Sequence, residues 1–290
     1  MNITFLGTAA AELYPGAWCQ CDFCSYARQQ GGRNIRFNSS IHFAEHCLID
    51  FPSDIMNKAL RFGVDLLPTQ LLMVTHSHED HFDPMMLYWR YRTYGSEQLP
   101  EAERYGAPCA RFTELPLLRV ICNRKTFWRA QRILGDRELA DYAMDFIIPE
   151  AYREYHHAGV DFIPLIATHQ DRDGERGLIY LVHAQGKTFL YATDSDRYID
   201  RTRDCLRHHK VDAVILEATY GLMERGENHM TLARVQQELD FFSDNQLFTG
   251  QPRFYLTHMS PHRTPPHDQL VEMLGDGPII PAYDGMVLSL

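Results

Sequence analysis

Apolar residues along this chain gather in short runs, and run after run stops at a residue that can bind a metal or carry a charge. Asn2 to Leu6 alternates as a first strand and enters Gly7 and the small residues Thr8 to Ala11. Ser40 to Asp50 reads as one strand closing on Leu48, Ile49 and Asp50, and Asp54 to Phe62 as a short helix ended by Gly63. Leu71, Leu72, Met73 and Val74 predict a buried strand that runs into His76, His78, Asp80 and His81. Asp83-Pro84 can then start a helix through Met86, Leu87 and Tyr88.

The pattern is regular again from Asp161. Phe162 to Ala167 is an apolar run ending in Thr168-His169. Leu178 to His183 and Thr188 to Thr193 read as strands joined by a tight turn, Ala184 to Lys187, and the second enters Asp194. Val211 to Leu216 ends in Glu217, and Phe254 to Thr257 ends in His258. Leu232, Val235, Leu239 and Phe242 form one helical stripe. Loops at the same ends of neighbouring strands converge on one edge of a sheet, so these endings predict a single site.

Between the two regular parts the signal is weaker. Met85 to Tyr94, Thr126 to Leu134 and Glu138 to Phe146 have helical patterns, with a strand at Leu118 to Cys122. Aromatics stand beside arginines at Tyr88, Trp89, Arg90, Tyr91, Arg92 and Tyr94, and again at Phe127, Trp128 and Arg129. Such residues can line a pocket for an anionic, ring-containing substrate. Packing of helix stems on a core is the commoner use, and the one expected here.

Composition narrows the class. A chain of 290 residues with 45% hydrophobic and 23% charged residues is that of an ordinary soluble globular protein, expected as one large α/β unit spanning 1–290 with a partly helical insertion at about 85–160. The N-terminal stretch lacks a basic start and a long apolar segment, and no run approaches a membrane span, so a cytoplasmic protein without a membrane partner is expected. With 28 Lys and Arg against 38 Asp and Glu, the net charge of −10 offers no long-range attraction to a polyanion, which makes long nucleic acid a poor partner. A small molecule is expected instead, bound by a single chain or a homodimer.

The histidines carry the chemistry. Imidazoles mixed with a carboxylate at HxHxDH spacing suit zinc, iron or manganese, whereas calcium needs several more oxygens. Cys47, Cys109, Cys122 and Cys205 are scattered and read as packing, but Cys19, Cys21 and Cys24 form CxCxxC. Three thiols this close can hold one structural zinc if a fourth ligand comes from elsewhere. The proline-rich loop after His258 offers His262 and His267, of which His262 is the nearer.

The stretch from Leu71 to Pro84 resembles the signature of the metallo-β-lactamase fold superfamily of metal-dependent hydrolases. That resemblance implies an α/β (α+β) fold, the four-layered αβ/βα sandwich, with a dinuclear centre on one edge. It implies that His76, His78 and His169 hold the first of two divalent ions, zinc or manganese, that Asp80, His81 and His258 hold the second, and that Asp194 bridges them. Asp50 resembles the aspartate that the superfamily places behind the metals. Two metals roughly 3.5–4 Å apart can clamp the attacking and leaving oxygens of a displacement. The stretch from Leu216 to Thr231 resembles the paired loops of phosphodiesterases, where Glu217 would support His229 as general acid, leaving Asp80, Glu217 and His229 to carry the catalysis.

The CxCxxC segment, the Leu256 to Ser260 stretch and the closing Tyr283-Asp284-Gly285-Met286 are similar to the cyclic-phosphate phosphodiesterases of the carbon–phosphorus lyase pathway. Two features depart from that family: the span from His81 to His169 is long, and Pro261 precedes His262, a shift of one position. Other readings are a lactonase or thioesterase of the same fold, which needs no histidine acid, a tRNA 3′-processing nuclease, which would be expected to carry a basic arm, and a non-catalytic metal-binding protein.

Overall fold

The strands come in two sets. The computed structural model describes residues 1–90, 115–135, 138–170 and 174–290. In chain order the first strands are β1 (Asn2–Gly7), β2 (Ser40–Phe43), β3 (Cys47–Ile49), β4 (Leu71–Met73), β5 (Leu118–Ile121) and β6 (Met144–Ile147). Then follow β7 (Tyr155–His157), β8 (Val160–Gln170), β9 (Arg176–Ala184), β10 (Lys187–Ala192), β11 (Ala213–Glu217), β12 (Phe254–Thr257), β13 (Ile279–Pro281) and β14 (Val287–Ser289). One seven-stranded sheet has the order β14-β1-β2-β3-β4-β5-β6, and the other β13-β12-β11-β10-β9-β8-β7.

Alternation along each strand explains the layers. Leu71 and Met73 of β4 face a core shared with Phe43, Phe189, Tyr191 and Ile215, whereas Leu72 and Val74 face a second core with Ile55, Val120, Ala130 and Leu134. On β11, Ala213 and Ile215 point to the shared core, while Val214 and Leu216 pack on Val235, Leu239 and Phe242 of the helix Leu232–Asp244. The shared core therefore lies between the sheets, with Phe43 edge-on to Phe189 at 5.3 Å, and helices cover both outer faces. This is the four-layered αβ/βα sandwich. Strands buried on both faces read as continuous apolar runs, and each fully buried Leu or Phe adds about 1.5–3 kcal/mol.

In each sheet four strands run parallel, β3 to β6 in one and β10 to β13 in the other. Their carboxyl ends meet on one edge, where Leu178 N–H donates to the Thr75 carbonyl at 2.8 Å and Tyr180 Oη to the Val74 carbonyl at 2.7 Å.

Several local expectations are corrected. Ser40 to Asp50 is a hairpin of two strands, because Ala44 and Glu45 turn with φ of 49° and 65° although neither is a usual turn residue. Pro84–Leu87 is a 3-10 turn, with residues 88–90 helical after it, and Tyr91, Arg92, Tyr94 and Cys109 lie outside the described residues. Glu138 to Phe146 holds a 3-10 turn, Leu139–Tyr142, and then most of β6, split by Ala143 at φ 49°. The helix expected from Thr126 starts at Arg124, where the Asn123 side chain accepts from Thr126 N–H at 3.0 Å and Glu175 accepts from two further amides. The β9–β10 turn forms as read: Gln185 and Gly186 have φ of 49° and 72°, the type I′ geometry that a two-residue hairpin favours. Among the described residues no helix is long and apolar enough to cross a membrane.

Candidate active site

The loop after β4 is fastened from behind before any of its histidines is placed. Asp50 is buried, with φ of 65°, and accepts from Thr75 N–H at 2.8 Å and Thr75 Oγ1 at 2.9 Å. Its other oxygen meets His81 Nδ1 at 2.8 Å, which leaves His81 Nε2 to face outward. Phe82 is fully buried, and Phe51 N–H donates to the His81 carbonyl at 2.7 Å, so the turn cannot swing away. On the far side, Arg129 donates to the Ser77 carbonyl and to Glu79.

The second sheet supplies the remaining groups. His169 lies in β8 where the register with β9 shifts, Asp194 follows β10, and His258 follows β12. Asp194 and His258 have φ of 51° and 52°, so with Asp50 three non-glycine residues in left-handed backbone stand within two residues of a strand end. Each costs on the order of 1–3 kcal/mol, a strain that clusters at functional sites. Thr219 Oγ1 lies 2.8 Å from His258 Nδ1 and 2.7 Å from the His258 carbonyl, doing for His258 what Asp50 does for His81.

The nitrogens and oxygens so placed converge. His76, His78 and His169 form one group with ligand atoms within 4.8 Å of one another, and Asp80, His81 and His258 form another. Asp194 Oδ2 lies 3.0 Å from His81 Nε2 and 3.3 Å from His258 Nε2. These are the seven residues expected from the sequence, brought to one place.

The donor set fits divalent cations. His76 Nε2 faces His78 Nδ1 at 2.9 Å and His81 Nε2 faces His258 Nε2 at 3.0 Å, nitrogen to nitrogen, while both ring nitrogens of buried His169 lack any hydrogen-bond partner. Burial opposes every charge here, yet Asp194, Asp80 and Asp50 hold His81 well above its usual range, and His81 and His258 hold Asp80 and Asp194 well below theirs. The cluster thus stabilises positive charge among its carboxylates, which a metal would supply.

Beside it, His229 Nδ1 lies 3.1 Å and 3.0 Å from the two oxygens of fully buried Glu217, which also accepts from Ser195 N–H at 2.6 Å. Burial disfavours the imidazolium, but Glu217 and then Asp194 outweigh it and raise the pKa to about 9. The loop that carries His229 is tightly folded: a Cβ on Gly226 would sit 2.1 Å from the His229 carbonyl oxygen. Thr231 then caps the helix Leu232–Asp244. His78, Asp80, His169, Asp194, His229 and His258 line a cleft of about 230 Å³, together with Glu12, Tyr220 and Arg263.

Cys19, Cys21, Cys24 and His262 form a separate tetrahedral-sized group, with Cys19 Sγ 3.2 Å from His262 Nδ1. Arg28 holds the loop by donating to the Gly16 and Cys19 carbonyls at 2.6 Å each. The backbone N–H of Cys21 lowers the Cys19 thiol to about 7, while burial pushes Cys24 up to about 12. His267 belongs to none of this, for it is buried against Arg36 at 3.3 Å. If the cluster holds a structural zinc, Cys21→Ser should remove one metal per chain by elemental analysis and lower Tm while metal bound at the histidine groups stays. A wild-type count and Tm in that variant would leave the cysteines as ordinary loop residues.

Thr75, Ser195 and Thr219 were not legible as site residues, since a threonine or serine after a strand has many ordinary uses. Trp89 and Arg90 line an apolar cavity of about 380 Å³ with Phe51, Met86 and Leu87, away from the cleft. Arg90 spends its donors on the Tyr142 and Pro116 carbonyls, which agrees with a packing role.

No family model and no curated protein matches the chain. Solved structures do. A diphosphatase of the PhnP family is 20% identical with a TM-score of 0.71, covering 99% of this chain and 96% of its own. Zinc-bound PqqB from Methylobacterium extorquens is 16% identical with a TM-score of 0.67, covering both chains fully at 100%. YhfI from Bacillus subtilis, a metallo-β-lactamase fold protein, is 15% identical with a TM-score of 0.65 and 99% coverage of each. At these identities the likeness establishes the fold.

Proposed function

We propose that this chain, which has the metallo-β-lactamase fold, is a metal-dependent hydrolase of a small phosphodiester, cyclic or linear. The observation that carries this reading is the His229–Glu217 pair set against the metal-ligand groups in one cleft. His76, His78 and His169 would hold one ion, Asp80, His81 and His258 the other, with Asp194 between them, and the mixed nitrogen and oxygen set suits zinc or manganese. Bound there, two divalent ions would supply Lewis acidity and activate water.

The chain's own residues do the rest. Asp50 and Thr219 take the Nδ1 atoms of His81 and His258 and so direct both Nε2 atoms to the centre. Glu217 takes Nδ1 of His229, which leaves Nε2 to hold a second proton for the cleft. That proton can pass to the leaving oxygen as the ester bond breaks. A thiolate departs without a proton donor, so a buried carboxylate spent on a rim histidine favours an alkoxide leaving group over a thioester. A panel of cyclic and linear phosphodiesters, lactones and thioesters, with zinc or manganese, tests the reading. Turnover of lactones or thioesters alone would sink it.

A further inference from the structure

Arg263 is the only lysine or arginine among the described residues that line the cleft. Its guanidinium carbon lies 4.2 Å from the centre of the Tyr220 ring, and that ring packs on His229 at 5.3 Å. Other half-buried arginines of this acidic chain, such as Arg203 and Arg234, pair with carboxylates. Among the described residues no carboxylate or carbonyl accepts from the Arg263 guanidinium, which leaves its fork of donors facing the cleft without a partner among them. Its backbone, by contrast, is pinned: Leu222 N–H donates to its carbonyl at 2.9 Å, the next residue, Thr264, donates from Oγ1 to the Ala218 carbonyl at 2.6 Å, and the preceding His262 belongs to the cysteine cluster.

The geometry points to Arg263 as a substrate-binding residue that takes an oxyanion of the ester and selects anionic esters over neutral ones, its place set by the Cys19, Cys21, Cys24 and His262 cluster. This rests on the phosphodiester reading. A guanidinium held over an aromatic ring still presents a planar fork that matches two phosphoryl oxygens, and the contact reduces the freedom lost on binding. Asp80, Asp194 and Glu12 also face the cleft and repel an anion, which a fixed cation offsets.

The test uses the metal-loaded full chain with Arg263→Ala and Arg263→Lys. Calorimetric titration with inorganic phosphate should show binding about 10- to 100-fold weaker in Arg263→Ala, the loss expected for charge-assisted hydrogen bonds, with Arg263→Lys between because it keeps a point charge without the fork. On bis-nitrophenyl phosphate the loss in kcat/KM should fall mainly on KM, and should exceed the loss on neutral nitrophenyl acetate by about tenfold or more. Metal content and Tm report whether the loop survives, and if alanine disturbs them the lysine variant decides alone. Unchanged phosphate affinity, or equal losses on anionic and neutral esters, overturns the assignment. A wild-type protein that opens no phosphodiester refutes the functional reading, and the phosphate titration still decides Arg263.

Discussion

Asp194→Ala should abolish turnover and take metal out of the proposed dinuclear centre together. Asp194 Oδ2 faces both His81 and His258, and its Oδ1 lies 3.8 Å from His229 Nδ1, so one side chain touches the second ligand group and the candidate acid. Removing a partner behind a ligand commonly costs about 10–100-fold in affinity or activity, and removing a shared ligand should cost more. The buried histidines would also lose the carboxylate that offsets their crowding. Elemental analysis and steady-state rates on one preparation read both effects, and full occupancy with normal activity would refute the bridging role.

His229→Ala should divide substrates by leaving group. Loss of a proton donor costs about 10²–10⁴ in rate when the departing oxygen is a poor leaving group. A nitrophenolate departs without help, so an activated nitrophenyl diester should lose far less than an alkyl diester. Equal losses on both would mean that His229 shapes the cleft and donates nothing. Glu217→Gln should follow the same division in weaker form, since the amide keeps the bulk but not the charge that holds His229 protonated.

The seven ligand-type residues were legible because His76, His78, Asp80 and His81 share the HxHxDH spacing after one apolar run while His169, Asp194 and His258 each follow another. The sandwich itself was less a deduction from period than from resemblance: Leu71 to Val74 does not alternate, since Leu72 and Val74 meet helices while Leu71 and Met73 meet the other sheet. The failures are short-range. Nothing in Ala44-Glu45 announces a turn, and Ala143 enters left-handed backbone where a helical pattern runs on, because tertiary packing overrides weak propensity there. The same blindness hid the left-handed conformations at Asp50, Asp194 and His258, which aim the site. His262 was preferred to His267 as the nearer residue and by its likeness to the family pattern, one position shifted; what separates the two in the structure is Arg36, 231 places before His267 in the chain, which holds His267 and the Ala282 carbonyl.

Four of the candidate ligand side chains come from the first sheet and three from the second, and the backbone bond from Leu178 of β9 to Thr75 joins the two sheets beside them. Ions held as proposed would therefore span the seam of the sandwich and would have no equivalent site in the unfolded chain. Occupancy then becomes part of the folding equilibrium: every tenfold rise in free metal above the dissociation constant adds about 1.4 kcal/mol per site to the folded state. How firmly the two sheets hold together would be set by the supply of metal around them as much as by the aromatic core between them.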